Sequence, residues 1–342
     1  MSGVVTGFAI ITFIILVGYV AGRTAVGGPG AESVLNRIAF FVTSPALLFT
    51  VLAKADLRLV FSSFVEIALI SAVVTFGLFV VLAKLASRFS PAFSMPRRSG
   101  TRAAALAGPA TRTPGRAATG SKTRLSTGEL AIGAMASGYV NANNIGLPVA
   151  VYVLGNASYV APVLLIQLLV FAPVILTILD ISSSGRASIG SILSQPLRNP
   201  MIIASVLGVV VALTGDKVPD AVLQPFVLLG GAAVPLVLLA FGMSLHGSRP
   251  LQAGSGRRNI IIASLLKSLI MPLVAFLCAR FIFSLQGPAL LAVVTLAALP
   301  SAQNTYNFAS RYNSGVVLAR DSVILTTVLA VPVLVAIAAV FA

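Results

Sequence analysis

Apolar runs of about 20 residues recur from one end of this chain to the other, and a run of that length is what crosses a bilayer as a helix. Hydrocarbon holds no water to hydrogen-bond the backbone. Only helices and closed barrels satisfy their own N–H and C=O groups there. A barrel would be written in alternating segments of about ten residues, and none occur. The 342 residues are 58% hydrophobic, with a mean hydropathy of +1.03 and only 9% charged side chains. A soluble domain carries roughly a quarter. The fold class expected is therefore an all-α polytopic membrane protein.

Ten spans are predicted, at roughly 4–22, 34–53, 61–86, 129–154 and 159–179, then 200–214, 221–244, 260–284, 288–311 and 321–341. The first is read as a span rather than a signal peptide. Met1 to Phe8 contains no Lys or Arg, and the apolar run continues to Ala21. The net charge of +15 lies in the loops, with eight basic residues from Arg88 to Arg124. That pattern points to cytoplasmic loops rather than to nucleic acid. With the N-terminus outside, the inner loops hold Arg23, Arg37, the Arg88–Arg124 cluster, Arg186, Arg198, Arg249, Arg257, Arg258, Arg311 and Arg320. The outer loops hold only Lys54, Arg58, Lys217 and Arg280. The expected location is the inner (plasma) membrane, multi-pass, with both termini outside. Within 88–127, the segment 97–124 is basic and of low complexity, without apolar periodicity. It is expected to be a disordered linker, or a surface for anionic lipid headgroups.

Two spans are interrupted by small polar residues beside a proline. One reads Ser137-Gly138-Tyr139-Val140-Asn141-Ala142-Asn143-Asn144-Ile145-Gly146-Leu147-Pro148, the other Ala298-Leu299-Pro300-Ser301-Ala302-Gln303-Asn304-Thr305-Tyr306-Asn307. Proline removes a backbone donor and crowds the preceding turn, so a break at Pro148 and another at Pro300 are expected. Each occupies the fourth span of its five. Pro45 and Pro235 likewise share the second position of each five. Five is odd, so the second set enters from the opposite side. Two inverted repeats follow, 1–180 and 200–342, with broken fourth and ninth helices. The amides either repair the breaks or form one shared site. On the second reading the half-helix N-termini suit an anion. The candidates are Asn141, Asn143, Asn144, Gly146, Pro148, Pro300, Ser301, Gln303, Asn304 and Asn307. Backbone N–H groups near Gly146 and Ala302 are the expected primary donors, with Asn144 and Asn304 closest to the breaks. Lys267 is the most conspicuous charge within a span. It either snorkels to the inner interface, or sits beside the substrate, or stands in for a cation in the core. Gly3, Gly7, Gly18 and Gly22 share one face of the first span and suit close packing within the chain or in a homodimer.

A single cysteine, Cys278, and a single histidine, His246, exclude an intrachain disulfide and a histidine-based metal cage or triad. Motifs for nucleotide, serine-hydrolase and zinc-protease chemistry are missing. No enzyme activity, metal or cofactor is expected, and transport would be passive or ion-coupled.

The Asn-rich break with Ile145-Gly146-Leu147-Pro148 and Tyr152-x-x-Gly155 resembles the fourth span of the auxin efflux carrier family, whose bacterial members include malonate-transporter-like permeases. Pro300-x-x-x-Asn304-x-Tyr306-x-x-Ala309-x-x-Tyr312 is similar to its ninth span, and Pro235 with Gly242 and Lys267 with Pro272 also fit. The resemblance covers the chain except 88–127. It implies a ten-helix fold like bile acid symporters and Na⁺/H⁺ antiporters, with helices 4 and 9 crossing at the two prolines. Spans 1, 2, 6 and 7 would form a scaffold, often dimeric. Spans 3–5 and 8–10 would move as an elevator. The implied function is secondary transport of small organic anions, auxin-like or dicarboxylate. The alternatives are a sodium-coupled symporter of the bile acid type and a ligand-binding sensor that moves nothing. Arg320-Asp321, at the predicted start of the last span, and the long basic loop depart from the family pattern.

Overall fold

The computed structural model of the chain describes residues 2–54, 63–88, 125–184, 200–214, 218–246, 251 and 256–341, with side-chain surroundings from Ala9 onward. The basic segment 97–124 lies outside these residues, as do Arg186, Arg198 and Arg249. Among the described residues twelve helices form: α1 Ser2–Arg23, α2 Ala31–Leu52, α3 Ser63–Arg88, α4 Thr127–Gly138, α5 142–152, α6 Ala157–Ser183, α7 Pro200–Thr214, α8 Asp220–Leu245, α9 Arg257–Ile282, α10 Gly287–Ala297, α11 Asn304–Arg311 and α12 Val316–Phe341. There is no strand among the described residues, only one isolated bridge. Six helices (α2, α3, α6, α8, α9 and α12) are long and apolar enough to cross a membrane. The side chains pointing away from the bundle are themselves apolar, with Leu228 80% exposed and Val340 77%. A soluble protein does not present such a surface, so this is a multi-pass membrane protein.

Each predicted apolar stretch contains a helix, and the fourth and ninth contain two. The last helix starts at Val316, earlier than expected, so Arg320 and Asp321 lie inside it. Asp321 is fully buried. It accepts from the Leu251 backbone N–H at 2.9 Å and pairs with Arg320 at 2.8 Å, which ties the segment before α9 to α12. Glu129 has a structural role at the start of α4. Its carboxylate accepts from Ser126 N–H at 2.7 Å while Ser126 Oγ accepts from Glu129 N–H at 3.2 Å, a reciprocal cap.

The prolines behave differently from the sequence expectation. Pro45, Pro148, Pro173 and Pro272 each follow, by two residues, a single π-turn: Ala39–Thr43, Ala142–Gly146, Gln167–Phe171 and Leu266–Ile270. A proline has no N–H to donate and its ring presses on the carbonyl four residues back. Widening the helix by one residue in the preceding turn relieves both, and the helix continues. Pro148 therefore does not break its helix. The interruption falls at 139–141, where α4 has ended and α5 has not begun. Pro300 does lie within its interruption, between α10 and α11.

Helices α1, α2, α7 and α8 pack on one another. The second half of α8 lies along α1 and the first turns of α2, while α7 and the first half of α8 flank the rest of α2. The others form a second group in which α3 packs on α4 and α9, and α12 packs on α9, α10 and α11. Helix α5 lies between the groups, touching α1 and α8. The Gly18–Gly22 face of α1 is occupied within the chain. A methyl group on Gly18 would collide with the Leu239 backbone, and one on Gly242 would collide with the backbone of α1 at Ile15 and Tyr19. Overpacked cores lose about 1–3 kcal/mol, and main-chain neighbours cannot move aside as side chains do. Gly242→Leu is expected to lower the thermal unfolding temperature of the detergent-solubilised protein well beyond the effect of Gly231→Leu, whose surroundings are open. Equal effects of the two would contradict this packing.

Candidate functional site

Helix α4 ends at Gly138, and Tyr139 takes an extended conformation (φ −92°, ψ 106°). The chain then runs extended through Val140, directly opposite Ser301 of the other break. Asn141 N–H donates to the Pro300 carbonyl at 2.8 Å, and Ala302 N–H donates to the Tyr139 carbonyl at 2.9 Å. Each break thus supplies the partners that the other lacks. Hydroxyls complete the junction. Thr326 Oγ1 accepts from Ser301 N–H at 3.1 Å, Ser301 Oγ donates to the Ala136 carbonyl, and Ser137 Oγ donates to the Thr75 carbonyl at 3.1 Å. Asn141 then restarts the helix, its Oδ1 accepting from Asn144 N–H at 3.2 Å.

Beside this junction lies a cavity of about 500 Å³. Asn141, Asn143, Asn144, Gln303, Asn304 and Asn307 line it. Gly146, Pro148, Pro300 and Ser301 are not among its walls; Pro300 and Ser301 belong to the junction behind it. The donors expected near Gly146 and Ala302 are already used. Gly146 N–H bonds the Asn141 carbonyl at 2.9 Å, and Ala302 N–H is in the bridge. The backbone N–H groups of Asn143, Gln303 and Asn304 have no acceptor among the described residues. Asn143 and Asn304 open α5 and α11 and Gln303 immediately precedes α11, where helix geometry leaves N–H groups unpaired.

Lys267 neither snorkels nor lines the cavity. It is fully buried, with Nζ donating to the Ala297 carbonyl at 2.7 Å and contacting Met271 Sδ at 3.2 Å. Ala297 is the last residue of α10, whose terminal carbonyls lack helical partners and carry partial negative charge. The lysine caps that end.

Further wall residues come from helices not singled out in the sequence. The first turns of α2 contribute Glu32, Asn36 and Arg37, α6 contributes Gln167, and Tyr139 comes from the break itself. Sharing Phe40, Phe41 and Asn304 with the cavity is a recess of about 330 Å³ that reaches Arg311. The signal in sequence was Glu32-x-x-x-Asn36, a polar pair on one helical face. The pair straddles the expected start of the span at 34, with Glu32 on the loop side. Side chains couple the two breaks to α2. Gln303 Nε2 donates to Glu32 Oε1 at 3.4 Å, Asn144 Nδ2 donates to Gln303 Oε1 at 3.3 Å, and Asn143 Nδ2 donates to Asn144 Oδ1 at 2.8 Å. No cluster of three metal-ligating side chains exists among the described residues.

Removing the Lys267 amine would leave a buried carbonyl unpaired, which costs about 1–3 kcal/mol. Lys267→Met is expected to lower thermal stability even without ligand. Unchanged stability would contradict the capping role.

A profile of the family described as membrane transport protein matches residues 4–98 and 119–338. The gap falls in the basic low-complexity loop. The chain is also 26% identical, over 190 residues, to an uncharacterized transporter of Methanocaldococcus jannaschii. That stretch is 55% of this chain, and it spans 60% of the archaeal protein's length.

Proposed function

The chain belongs to the membrane transport protein family, that of the auxin efflux carriers, a family of transporters and not of enzymes, and from that premise we propose that it is a secondary transporter of small organic anions. One observation carries the proposal. The cavity beside the paired breaks combines three unpaired backbone N–H groups and a row of carboxamides with Arg37 at its mouth and Arg311 in the adjoining recess. Phe40, Phe41 and Leu168 supply an apolar wall. Donors and cations suit a carboxylate, and the wall suits its hydrocarbon part. The volume is that of a small-molecule site.

In this reading the chain makes ten crossings as two inverted five-span repeats, 1–180 and 200–342, with α4–α5 and α10–α11 as the broken fourth and ninth spans. Helices α1, α2, α7 and α8 are the scaffold, and the remaining helices move against it as an elevator. The grouping of packing contacts supports this division, as does the cavity's position between Asn36 on one side and Gln303 on the other. The exposed cavity residues Arg37 and Ser33 lie at the end of α2 assigned to the cytoplasm, so the conformation corresponds to an inward-open state. Its partners are the organic anion, the bilayer and a second copy of the chain against the scaffold helices, with no nucleic acid, in the inner (plasma) membrane with both termini outside.

The site is tested with malonate and indole-3-acetate as probes, by thermal shift and then by flux in proteoliposomes. A charge-assisted hydrogen bond contributes about 1.5–3 kcal/mol, so Asn144→Ala or Asn304→Ala should weaken binding roughly tenfold to a hundredfold. Asp at either position should do worse than Ala, because it opposes a negative ligand. Asp variants that bind as tightly as the parent would move the site elsewhere. Topology is tested separately with Ala110→Cys in a Cys278→Ser background. An impermeant thiol reagent should leave it unlabelled in intact cells and label it in inverted vesicles. Labelling from outside would overturn the orientation.

A further inference from the structure

Glu32 is the one carboxylate that lines the cavity, and no ion pair holds it among the described residues. An ionised carboxylate only accepts hydrogen bonds. It therefore dictates which end of the Gln303 carboxamide it meets. Gln303 presents Nε2 to Glu32, at 3.4 Å, and so presents Oε1 to Asn144. Asn144 answers with Nδ2 and turns Oδ1 to Asn143, which donates from Nδ2 at 2.8 Å. Every amide in the row is oriented by the one before it. At the end of the row, Asn143 Oδ1 is buried and has no partner among the described residues, so the row ends on a buried carbonyl without a donor.

Protonation reverses the row. A neutral Glu32 carries an O–H and donates to Gln303 Oε1. Gln303 then donates to Asn144 Oδ1, Asn144 donates to Asn143 Oδ1, and the orphaned carbonyl gains a partner. Asn143 Nδ2 is released from Asn144, and the cavity loses the negative charge of its one carboxylate, which would oppose an anion. Resting on the anion reading of this cavity, we propose that Glu32 is the proton-coupling group of the transporter, and that its protonation, relayed through Gln303, Asn144 and Asn143, admits the anion. One proton enters with each anion and leaves with it, taken from and returned to water on the two sides. Because Glu32 is on α2 and Gln303 on the second break, the same bond also joins the two packing groups of helices.

Few other charges compete for this role. Arg37 shares the cavity on the same helix, and Arg311 enters the adjoining recess from α11. Helix α8 packs against the first turns of α2. It has no titratable side chain from Ala233 to Leu245 and is followed by His246. Behind it, α1 carries Tyr19 and Arg23. From α7 the cavity receives only Met201. The positions of the two arginines predict that they hold the anion itself, with the pH response coming from Glu32.

The test measures affinity for indole-3-acetate against pH, with proton uptake from calorimetry in buffers of different ionisation enthalpy, and anion-for-anion exchange in proteoliposomes. The sign follows from linkage. A site that takes up a proton on binding loses affinity as pH rises, by up to about tenfold per pH unit. Wild type should take up about one proton per anion beyond that of the ligand's own titration. Glu32→Gln, which cannot titrate, should bind with the ligand's own pH profile only. Glu32→Asp should restore a protein-dependent slope, displaced along the pH axis. If Glu32→Gln does not fold, the proton count of wild type decides alone, and zero uptake overturns the proposal. Exchange by wild type with no proton uptake overturns the coupling and leaves the anion reading standing. Absence of both binding and exchange with malonate and indole-3-acetate overturns the anion reading and this inference with it. An unchanged pH slope in Glu32→Gln assigns the proton to another group.

Discussion

Two backbone hydrogen bonds between the interrupted segments, Asn141 to Pro300 and Ala302 to Tyr139, are the constraint on which the rest of this structure depends. A helix that stops inside hydrocarbon exposes N–H and C=O groups with no water to bind them, at several kcal/mol per group. Two stops at one level can satisfy each other, and here they do so as a minimal antiparallel bridge. The consequence is mutual. Neither break is tolerable alone, so α4–α5 and α10–α11 must meet, and the helices around them must leave room for that meeting. Thr326, Ser301 and Ser137 absorb the remaining polar groups, and Lys267 closes the end of α10 from behind.

The bridge also divides polar groups by task. Those behind it are consumed in holding the junction, which is why Gly146, Ser301 and Lys267 have structural partners. Those in front face a cavity with N–H groups that helix geometry leaves unpaired. In the proposed function, binding capacity arises from the same breaks that threaten stability. A site of this kind needs few charged residues. Backbone amides and carboxamides carry permanent dipoles without the cost of burying ions, consistent with a chain in which only Glu32 and Arg37 bring charge to the main cavity.

Proline has two distinct uses in this fold. Four prolines follow π-turns and leave their helices continuous, with the extra residue per turn accommodating the missing donor. Pro300 instead lies in the interruption between α10 and α11, where its carbonyl is an acceptor in the bridge. The π-turns also rotate the side chains that follow them, so register beyond each proline differs from that of an ideal helix.

Much was legible in the sequence because hydrocarbon is an unforgiving solvent. Apolar length alone located the helices to within a few residues, and amides inside a span announced the breaks, since Asn141 or Gln303 facing lipid would be too costly to keep. Membership in a transporter family was carried by motifs such as Ile145-Gly146-Leu147-Pro148. The sequence did not reveal that the helix continues through Pro148, because a π-turn is a local choice set by packing. It left Lys267 open between interface, substrate and core, because the carbonyl that holds its buried amine lies 30 residues away. It overlooked Glu32, whose meaning depends on Gln303, 271 residues distant. Periodicity and solvation act on each segment separately and can be read from composition along the chain. Which lone pair meets which N–H is decided only when distant segments pack, and that pairing separates a repaired helix from a binding site.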